Sequence, residues 1–271
     1  MFPPSVNTRP EPVVTDLWLL DGSTVAEDDV DARTLGPAER KRAAGFVHER
    51  DRVRYLFAHT ALRRVLGRRV GADPAELRFD REPCPCCGGP NGRPRLADSA
   101  VPHFSLSHGG DLILIGIADH PIGVDVEAVP DAQAVAELAA VFHPAEQADL
   151  AAAPAARRAE EFARLWTRKE AYLKGLGTGF GRNPAADYLG STGRAAMPPA
   201  WTITDLPAGP AHAASFALRA PAAGGGQEYR LSRSLGPGGV SGSRARGQRT
   251  GASEGTSRIP NSLRSADLAA R

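Results

Sequence analysis

The sequence predicts a mixed α+β fold, and three patterns along the chain support this. Short apolar runs bounded by turn residues, such as Val13–Leu20 and Ile122–Glu127, are typical of β-strands. Segments with apolar residues at three- and four-residue spacing, such as Asp51–Leu66, are typical of α-helices. Strands and helices come in mixed runs rather than in strict alternation, which favours α+β over a parallel α/β sheet.

The first half of the chain is predicted to begin with a strand and two helices. The strand Val13–Leu20 ends at the Asp21-Gly22 turn, Pro37 suits the start of the first helix, and the helices follow in order: Ala38–Val47 and Asp51–Leu66. Three short strands are then expected: Leu77–Phe79, His103–Leu106 and Leu112–Ala118. A loop rich in Cys, Pro and Gly separates the first two, and Ser107 to Asp111 joins the last two.

The second half is predicted to begin with the strand Ile122–Glu127. A helical stretch follows, with breaks at Pro144 and Pro154: Ala132–Phe142, Pro144–Ala152 and Ala156–Leu176. Two closing strands are expected at Thr202–Ile203 and Ala214–Leu218. This pattern also allows an architecture of two comparable α/β halves that meet near residue 120.

Composition narrows the class of protein. The 271 residues allow one large domain or two smaller ones, and 42% hydrophobic with 24% charged residues is a globular composition. No apolar run approaches the ~18–20 residues of a membrane span, and no secretory signal is visible at the N-terminus. Three cysteines cannot all pair, which favours a reducing compartment. We therefore expect a soluble, cytoplasmic protein.

The formal net charge of +2 is unevenly distributed. Residues 233–271 form a tail rich in Gly, Ser and Arg, with seven arginines against two acidic residues, and its composition predicts disorder. The body of the chain is mildly acidic, so a globally basic nucleic-acid binder is not indicated. We expect three segments: an N-terminal half (1–119), a C-terminal half (120–232) and the tail.

The hexapeptide Ile122–Glu127 carries two carboxylates on one face. Period-two alternation directs Ile122, Val124 and Val126 to one side, and Asp125 and Glu127 to the other. A shared hard cation such as Mg²⁺ would relieve their repulsion. A half-buried edge strand with a solvated acidic face is the alternative.

A second cluster lies on the predicted helix around Trp166. On a helical wheel, Lys169 falls near the middle of the apolar stripe, with Glu170 at its margin and Lys174 one step beyond. A charge there is costly unless it is paired or ligated, which favours a functional cluster. A simple ion pair between Glu170 and Lys174, four residues apart, is the alternative. Lysine occurs elsewhere only at position 41, and all other basic residues are arginine.

Two further segments offer contacts for phosphate. Ser107 and His108, before Gly109-Gly110, offer a hydroxyl, ring donors and open backbone N–H groups to an anion. A plain hairpin with a surface histidine is the alternative. Ten basic residues between Arg40 and Arg69 either form a local phosphate site or cover a solvated helix face.

The cysteines are clustered in Cys84-Pro85-Cys86-Cys87, which contains one Cys-x-x-Cys pair. A structural zinc site needs four ligands, and no second pair exists, although His103 offers one more ligand. Zinc is therefore a minor alternative.

Together these segments resemble the 4′-phosphopantetheinyl transferases, of the class that activates peptide and polyketide synthases. The resemblance rests on Gly123-Val124-Asp125-Val126-Glu127 followed by the segment from Trp166 to Lys174, Trp-Thr-Arg-Lys-Glu-Ala-Tyr-Leu-Lys. Phe104–His108 and Gly92-Arg93-Pro94 resemble two further motifs of the family. The resemblance implies a fold of two similar α+β halves, which are related by a pseudo-twofold axis and have the active site at their junction.

The resemblance also implies an activity and a set of site residues. Such enzymes transfer the phosphopantetheine arm of coenzyme A to a serine of an acyl or peptidyl carrier protein and release 3′,5′-ADP. The residues that match the family's motifs are Asp125, Glu127 and Glu170 for Mg²⁺; Lys169, Lys174, Ser107 and His108 for the phosphates of coenzyme A; Arg93 and Pro94 beside the adenine nucleotide; and Arg42 and Arg54 for the 3′-phosphate. Glu170 and Lys174 are the implied catalytic residues, as proton acceptor and stabiliser of the leaving diphosphate.

Two other functions compete with this one. A nucleic-acid-binding protein would use the cysteine loop as a zinc knuckle and the arginine-rich tail as an anchor, but it leaves the acidic pair and the lysine cluster unexplained. Another Mg²⁺-dependent phosphotransfer enzyme, such as a nucleotidyl hydrolase, is the second rival. We expect a monomer that acts on carrier proteins and coenzyme A without binding a membrane or nucleic acid.

Overall fold

The computed structural model describes residues 13–193, 195–219 and 227–235, which form nine β-strands and five α-helices. The strands are β1 (Val13–Asp21), β2 (Phe79–Arg81), β3 (Pro94–Leu96), β4 (His103–Gly109), β5 (Leu112–Ala118), β6 (Ile122–Ala128), β7 (Trp201–Leu206), β8 (His212–Arg219) and β9 (Gln227–Ser232). The helices are α1 (Pro37–Ala44), α2 (Glu49–Val70), α3 (Ala132–Leu138), α4 (Pro144–Ala152) and α5 (Arg158–Leu176). No helix in these ranges has both the length and the apolar composition needed to cross a membrane.

The largest sheet has four strands in the order β4-β5-β1-β9. Strands β4, β5 and β1 are antiparallel neighbours, whereas β9 runs parallel to β1 at the far edge. Apolar residues of α2, including Phe57 and Leu62, join Ile113 and Ile115 of β5 in the main core. The long amphipathic helix therefore covers one face of this sheet.

A second, antiparallel sheet has the order β6-β8-β7. Ile122, Val124 and Val126 of β6 are buried with Leu17 and Leu19 of β1, as the predicted alternation requires. Strand β6 also contacts β4 of the first sheet, where Val124 N donates to the hydroxyl of Ser105 at 3.1 Å. A two-stranded hairpin of β2 and β3 completes the sheets of the described residues.

The predicted mixed α/β architecture is confirmed, with small differences in the bounds of elements. The first helix ends at Ala44 rather than Val47, and the short strand before the cysteine loop starts at Phe79 rather than Leu77. Helix α3 ends at Leu138, and a single 3-10 turn follows over Ala139–Val141. In each case the local pattern predicts the type of element better than its ends.

Strand β4 is longer than predicted and includes two of the predicted site residues. Ser107 and His108 were expected in a loop, but they continue the ladder by pairing with Leu114 and Ile113 of β5. The chain reverses only after Gly109, and Gly110 has a φ of +58°. The side chains of Ser107 and His108 therefore lie on a strand, where the ladder constrains their direction.

Strand β9 was not predicted, and it changes where the folded part ends. Its hydrogen bonds come from parallel pairing with β1, more than 200 residues away in the chain. Leu235, which falls in the predicted tail, is 3% exposed and belongs to the main core. The backbone oxygen of Leu235 also accepts a hydrogen bond from Arg68 of α2. Residues 236–271 of the predicted disordered tail lie outside the described residues.

We expect Leu235→Ala to destabilise the protein by about 3 kcal/mol, because it removes a buried side chain and leaves a cavity against α2. The free energy of unfolding in urea measures this loss. Val47→Ala is the control, since Val47 is 91% exposed between α1 and α2. Equal stability of the two variants would show that residue 235 does not belong to the folded core.

Candidate active site

A buried polar cluster forms where β4, β6 and α5 meet. Asp125 of β6 is 0% exposed, and its Oδ1 accepts hydrogen bonds from Ser107 Oγ at 2.7 Å and from Lys174 Nζ at 2.6 Å. Lys174 Nζ also donates to Ser107 Oγ at 2.9 Å. The fold therefore brings together three predicted site residues that lie far apart in the chain.

Two glycines let the backbones approach closely enough to form this cluster. A β-carbon on Gly123 would lie 1.9 Å from the backbone oxygen of Ala171, so α5 packs directly on β6. A β-carbon on Gly109 would lie 2.3 Å from the backbone oxygen of Val126, so β4 also packs closely against β6. Any side chain at either position would force these backbones apart.

The acidic face of β6 is buried. Asp125 and Glu127 share this face with Gly123, which contacts α5. Glu127 is buried, and so is Glu170 of α5. The alternative of a solvated acidic edge strand is therefore wrong, because packing against other elements removes both β6 carboxylates from water.

The carboxylate of Asp125 gives this cluster one oxygen of the type that hard divalent cations bind. Asp125 Oδ2 is buried and has no hydrogen-bond partner among the described residues, so a ligand there would satisfy it. Carboxylate oxygens are the protein ligands that Mg²⁺ prefers. Within the described ranges, no three His, Cys, Asp or Glu side chains are arranged as a metal site. In this arrangement the Lys174 ammonium neutralises Asp125, and a cation at Asp125 would compete with it.

Lys169 lies in a different environment from the other site lysine. Its ammonium group is buried, pairs with Glu146 Oε2 at 2.8 Å and donates to the backbone oxygen of Asp187. Glu146 also accepts hydrogen bonds from the backbone N–H groups of His143 and Leu189. Burial lowers the pKa of Lys169, and the Glu146 carboxylate opposes that shift. Lys169 therefore joins α5 to α4, and its ammonium is already paired.

Arg93 fastens the β2–β3 hairpin to the end of α5. Its Nη1 donates to the backbone oxygen of Gly175 at 2.8 Å, and its Nε and Nη2 donate to Glu82 Oε2 at 3.0 and 2.7 Å. A β-carbon on Gly177 would lie 2.7 Å from Arg93 Cγ, which shows how tightly Arg93 packs there. Pro94 follows it at the exposed start of β3. Arg93 thus reaches the same end of α5 as the Asp125 cluster.

The predicted 3′-phosphate contacts lie on the first two helices. Arg54 of α2 donates from Nε and Nη2 to Asp111 Oδ1 at 2.9 and 2.5 Å, and Arg50 donates to Asp111 Oδ2 at 2.7 Å. Burial of Asp111 opposes ionisation, but these two guanidinium groups hold its pKa below its usual value. Arg42 is exposed on α1, and His108 is half-buried on β4. Asp111 therefore connects the turn after β4 to the helix that carries Arg54.

The sequence reasoning missed acidic residues that pair with the predicted site cations, among them Asp111, which pairs with Arg54, and Glu146, which pairs with Lys169. Asp111 follows Gly110 in a turn, and such a Gly-Asp pair indicates only the turn. Glu146 lies three residues after His143 and accepts its N–H, a pattern that indicates only a helix start. Neither local signal identifies the basic partner, which is distant in the chain.

The cysteine loop connects β2 and β3. Cys84 is buried and Cys86 and Cys87 are exposed, all three as free thiols. Among the described residues, neither these cysteines nor His103 belongs to a set of three arranged for a metal. Burial, followed by the charge of Arg93, lowers the pKa of His103, which favours its neutral form.

We expect Lys169→Met to destabilise the protein by about 3 kcal/mol, because it leaves the buried Glu146 carboxylate without its cation. The free energy of unfolding in guanidinium chloride measures this loss. Lys41→Met is the matched control, since Lys41 is exposed on α1. The prediction fails if both substitutions have the same effect.

Comparison with protein families gives one match to a family model. Residues 121–199 match the 4′-phosphopantetheinyl transferase superfamily. This segment contains β6, α3, α4 and α5, and therefore Asp125, Glu127, Glu170 and both site lysines.

Individual relatives carry the same description. The chain is 33% identical over 180 residues to the 4′-phosphopantetheinyl transferase HetI of Nostoc sp., covering 65% of this chain and 74% of HetI. It is 28% identical over 146 residues to the 4′-phosphopantetheinyl transferase Sfp of Bacillus subtilis, covering 54% of this chain and 61% of Sfp. A putative 4′-phosphopantetheinyl transferase of Synechocystis sp. is 33% identical over 149 residues, covering 54% of this chain and 58% of that protein. The chain thus spans only about three fifths of the last two relatives.

Proposed function

Because the chain belongs to the 4′-phosphopantetheinyl transferase superfamily, we propose that it transfers the 4′-phosphopantetheine moiety of coenzyme A to a serine of an acyl or peptidyl carrier protein. In this reaction the serine oxygen forms a bond to the β-phosphorus of coenzyme A. The bond from that phosphorus to the bridging oxygen breaks, and 3′,5′-ADP leaves. We further propose that the protein acts as a cytoplasmic monomer.

The buried Asp125–Lys174–Ser107 cluster is the observation that carries this proposal. A buried carboxylate with one unsatisfied oxygen, beside a compact ammonium, is suited to a polyanionic substrate with its counterion. The strand and the helix that supply Ser107 and Lys174, β4 and α5, also carry His108 and Glu170.

In the proposed site, Asp125, Glu127 and Glu170 would hold Mg²⁺. When bound, the metal would neutralise the pyrophosphate and stabilise negative charge on the leaving diphosphate. The buried Oδ2 of Asp125, which has no hydrogen-bond partner, supports this assignment. The three buried carboxylates also offer only oxygen atoms, which are the ligands that Mg²⁺ prefers.

The chain's own cations would bind and orient coenzyme A. Lys174, Ser107 and His108 would contact its phosphates, with Arg93 and Pro94 beside the adenine nucleotide, and Arg42 and Arg54 would hold the 3′-phosphate. The phosphate contact expected of Lys169 falls to Lys174 in this proposal, because the Lys169 side chain is only 3% exposed whereas that of Lys174 is 19% exposed. A compact ammonium at position 174 would also stabilise charge on the departing oxygen.

Glu170 would accept the proton of the attacking serine, directly or through a water molecule. It lies on the same helix as Lys174, one turn earlier, so the proton acceptor and the cation would act from one rigid element. We also propose that the site lies at a junction between two similar halves related by a pseudo-twofold axis. The contact of Ser107, from the first sheet, with Asp125, from the second, supports that arrangement.

Mass spectrometry of an apo carrier protein tests the function. After incubation with coenzyme A, Mg²⁺ and this protein, the carrier is expected to gain the mass of phosphopantetheine on its serine, and chelation by EDTA should abolish the gain. Hydrolysis of nucleotides without modification of the carrier would favour the rival hydrolase. Stoichiometric zinc together with salt-dependent binding of DNA or RNA would favour the nucleic-acid-binding alternative.

We expect Lys174→Met to lower kcat for transfer by about 100-fold, because it removes a cation that stabilises developing charge. The assay follows carrier modification at saturating coenzyme A, and circular dichroism verifies that the variant is folded. Lys41→Met again serves as the control. Transfer by Lys174→Met at the rate of that control would contradict the role given to Lys174.

A further inference from the structure

The loop between β2 and β3 gathers all three cysteines of the chain into one tight turn, and the proposed reaction uses none of them. Cys84 N donates to Gly89 O at 2.7 Å, and Gly88 N donates to Cys84 O at 2.8 Å. Gly88 has a φ of +71°, a backbone conformation that favours glycine. The turn therefore holds the cysteines in a defined arrangement.

One sulfur of this turn differs from the other two. The Cys84 side chain is buried, whereas Cys86 and Cys87 are exposed. Nearby backbone N–H groups of Cys86 and Cys87, followed by their thiols, lower the pKa of the Cys84 thiol below its usual value. Cys84 is thus a shielded sulfur that favours the thiolate, flanked by two exposed thiols.

The geometry of the turn favours Cys87 over Cys86 as the partner of Cys84. The bond from Gly88 N to Cys84 O closes a single helix-like turn, in which residues three apart are neighbours. Cys84 and Cys87 have this spacing, which is also that of Cys-x-x-Cys dithiols. A Cys86–Cys87 bond would join adjacent residues and strain the disulfide. Cys86 instead lies beside the turn after α5, with its β-carbon 3.8 Å from a β-carbon placed on Gly181.

We propose that Cys84 and Cys87 form a reversible disulfide by exchange with a low-molecular-weight disulfide. The exposed Cys87 thiolate attacks one sulfur of the small disulfide, forming a mixed disulfide and releasing one small thiol. The Cys84 thiolate then attacks the Cys87 sulfur, forming the protein disulfide and releasing the second small thiol. The two cysteine thiols are oxidised, and the small disulfide is reduced to two thiols that take up the two protons.

The same nearby N–H groups make this disulfide easy to reduce. A small thiol would attack the exposed Cys87 sulfur, with Cys84 as the leaving group. Backbone N–H groups stabilise the Cys84 thiolate, and a thiol of lower pKa leaves faster. The bond would therefore respond to the thiol pool around the protein rather than act as a permanent crosslink.

Thiol counting on the full-length, reduced protein tests the proposal independently of the transferase activity. After incubation with oxidised glutathione and alkylation, we expect the number of free thiols to fall from three to one. Peptide mapping should identify a Cys84–Cys87 link, and excess reduced glutathione should restore all three thiols.

Two exposed positions supply matched variants. Cys86→Ser should still form the link, whereas Cys87→Ser should form no intramolecular disulfide between Cys84 and Cys86. Four results would overturn the proposal: no loss of thiols, glutathione retained as a stable mixed disulfide, a link that involves Cys86, or thiols protected by one equivalent of bound zinc.

Discussion

The burial of Asp125 is the constraint on which the rest of the site depends. A carboxylate with no exposure to water is costly unless cations or donors surround it, and here Lys174 and Ser107 supply both. These partners come from α5 and β4, so one buried charge joins both sheets and the longest helix of the second half. The partners that compensate the charge of Asp125 therefore also bring β4, β6 and α5 together at the proposed site.

Two of the three lysines supply a compact charge to a buried carboxylate. Lys169 and Lys174 both pair with fully buried carboxylates, where a compact point charge fits between packed backbones. The arginines use the planar guanidinium to bridge several acceptors, at half-buried places such as Arg93 between Glu82 and Gly175 and at buried ones such as Arg168 between Asp205 and Leu189.

Helix α5 serves two purposes along its length. Its first turns bury Phe162 and Trp166 against Phe142, which anchors the helix in a small aromatic core. Its last turns lie against β6 at Gly123 and carry Lys174 to Asp125. Between them, the Lys169–Glu146 pair fixes the helix to α4. The aromatic contacts and the buried ion pair together fix the position of α5, so that Lys174 lies next to Asp125 of β6.

The sequence by itself determined the local periodicities: the alternation of Ile122–Glu127, the helical repeat around Trp166, and the motifs that identify the family. These depend on neighbours within a few residues, so they can be read from one segment at a time. Only the tertiary structure decided that β9 pairs with β1, that β4 continues through Ser107, and that Lys169 pairs with Glu146 while Lys174 pairs with Asp125. Both lysines lie on one helix, and what distinguishes them is the buried carboxylate that each one reaches, which depends on how the sheets and helices pack.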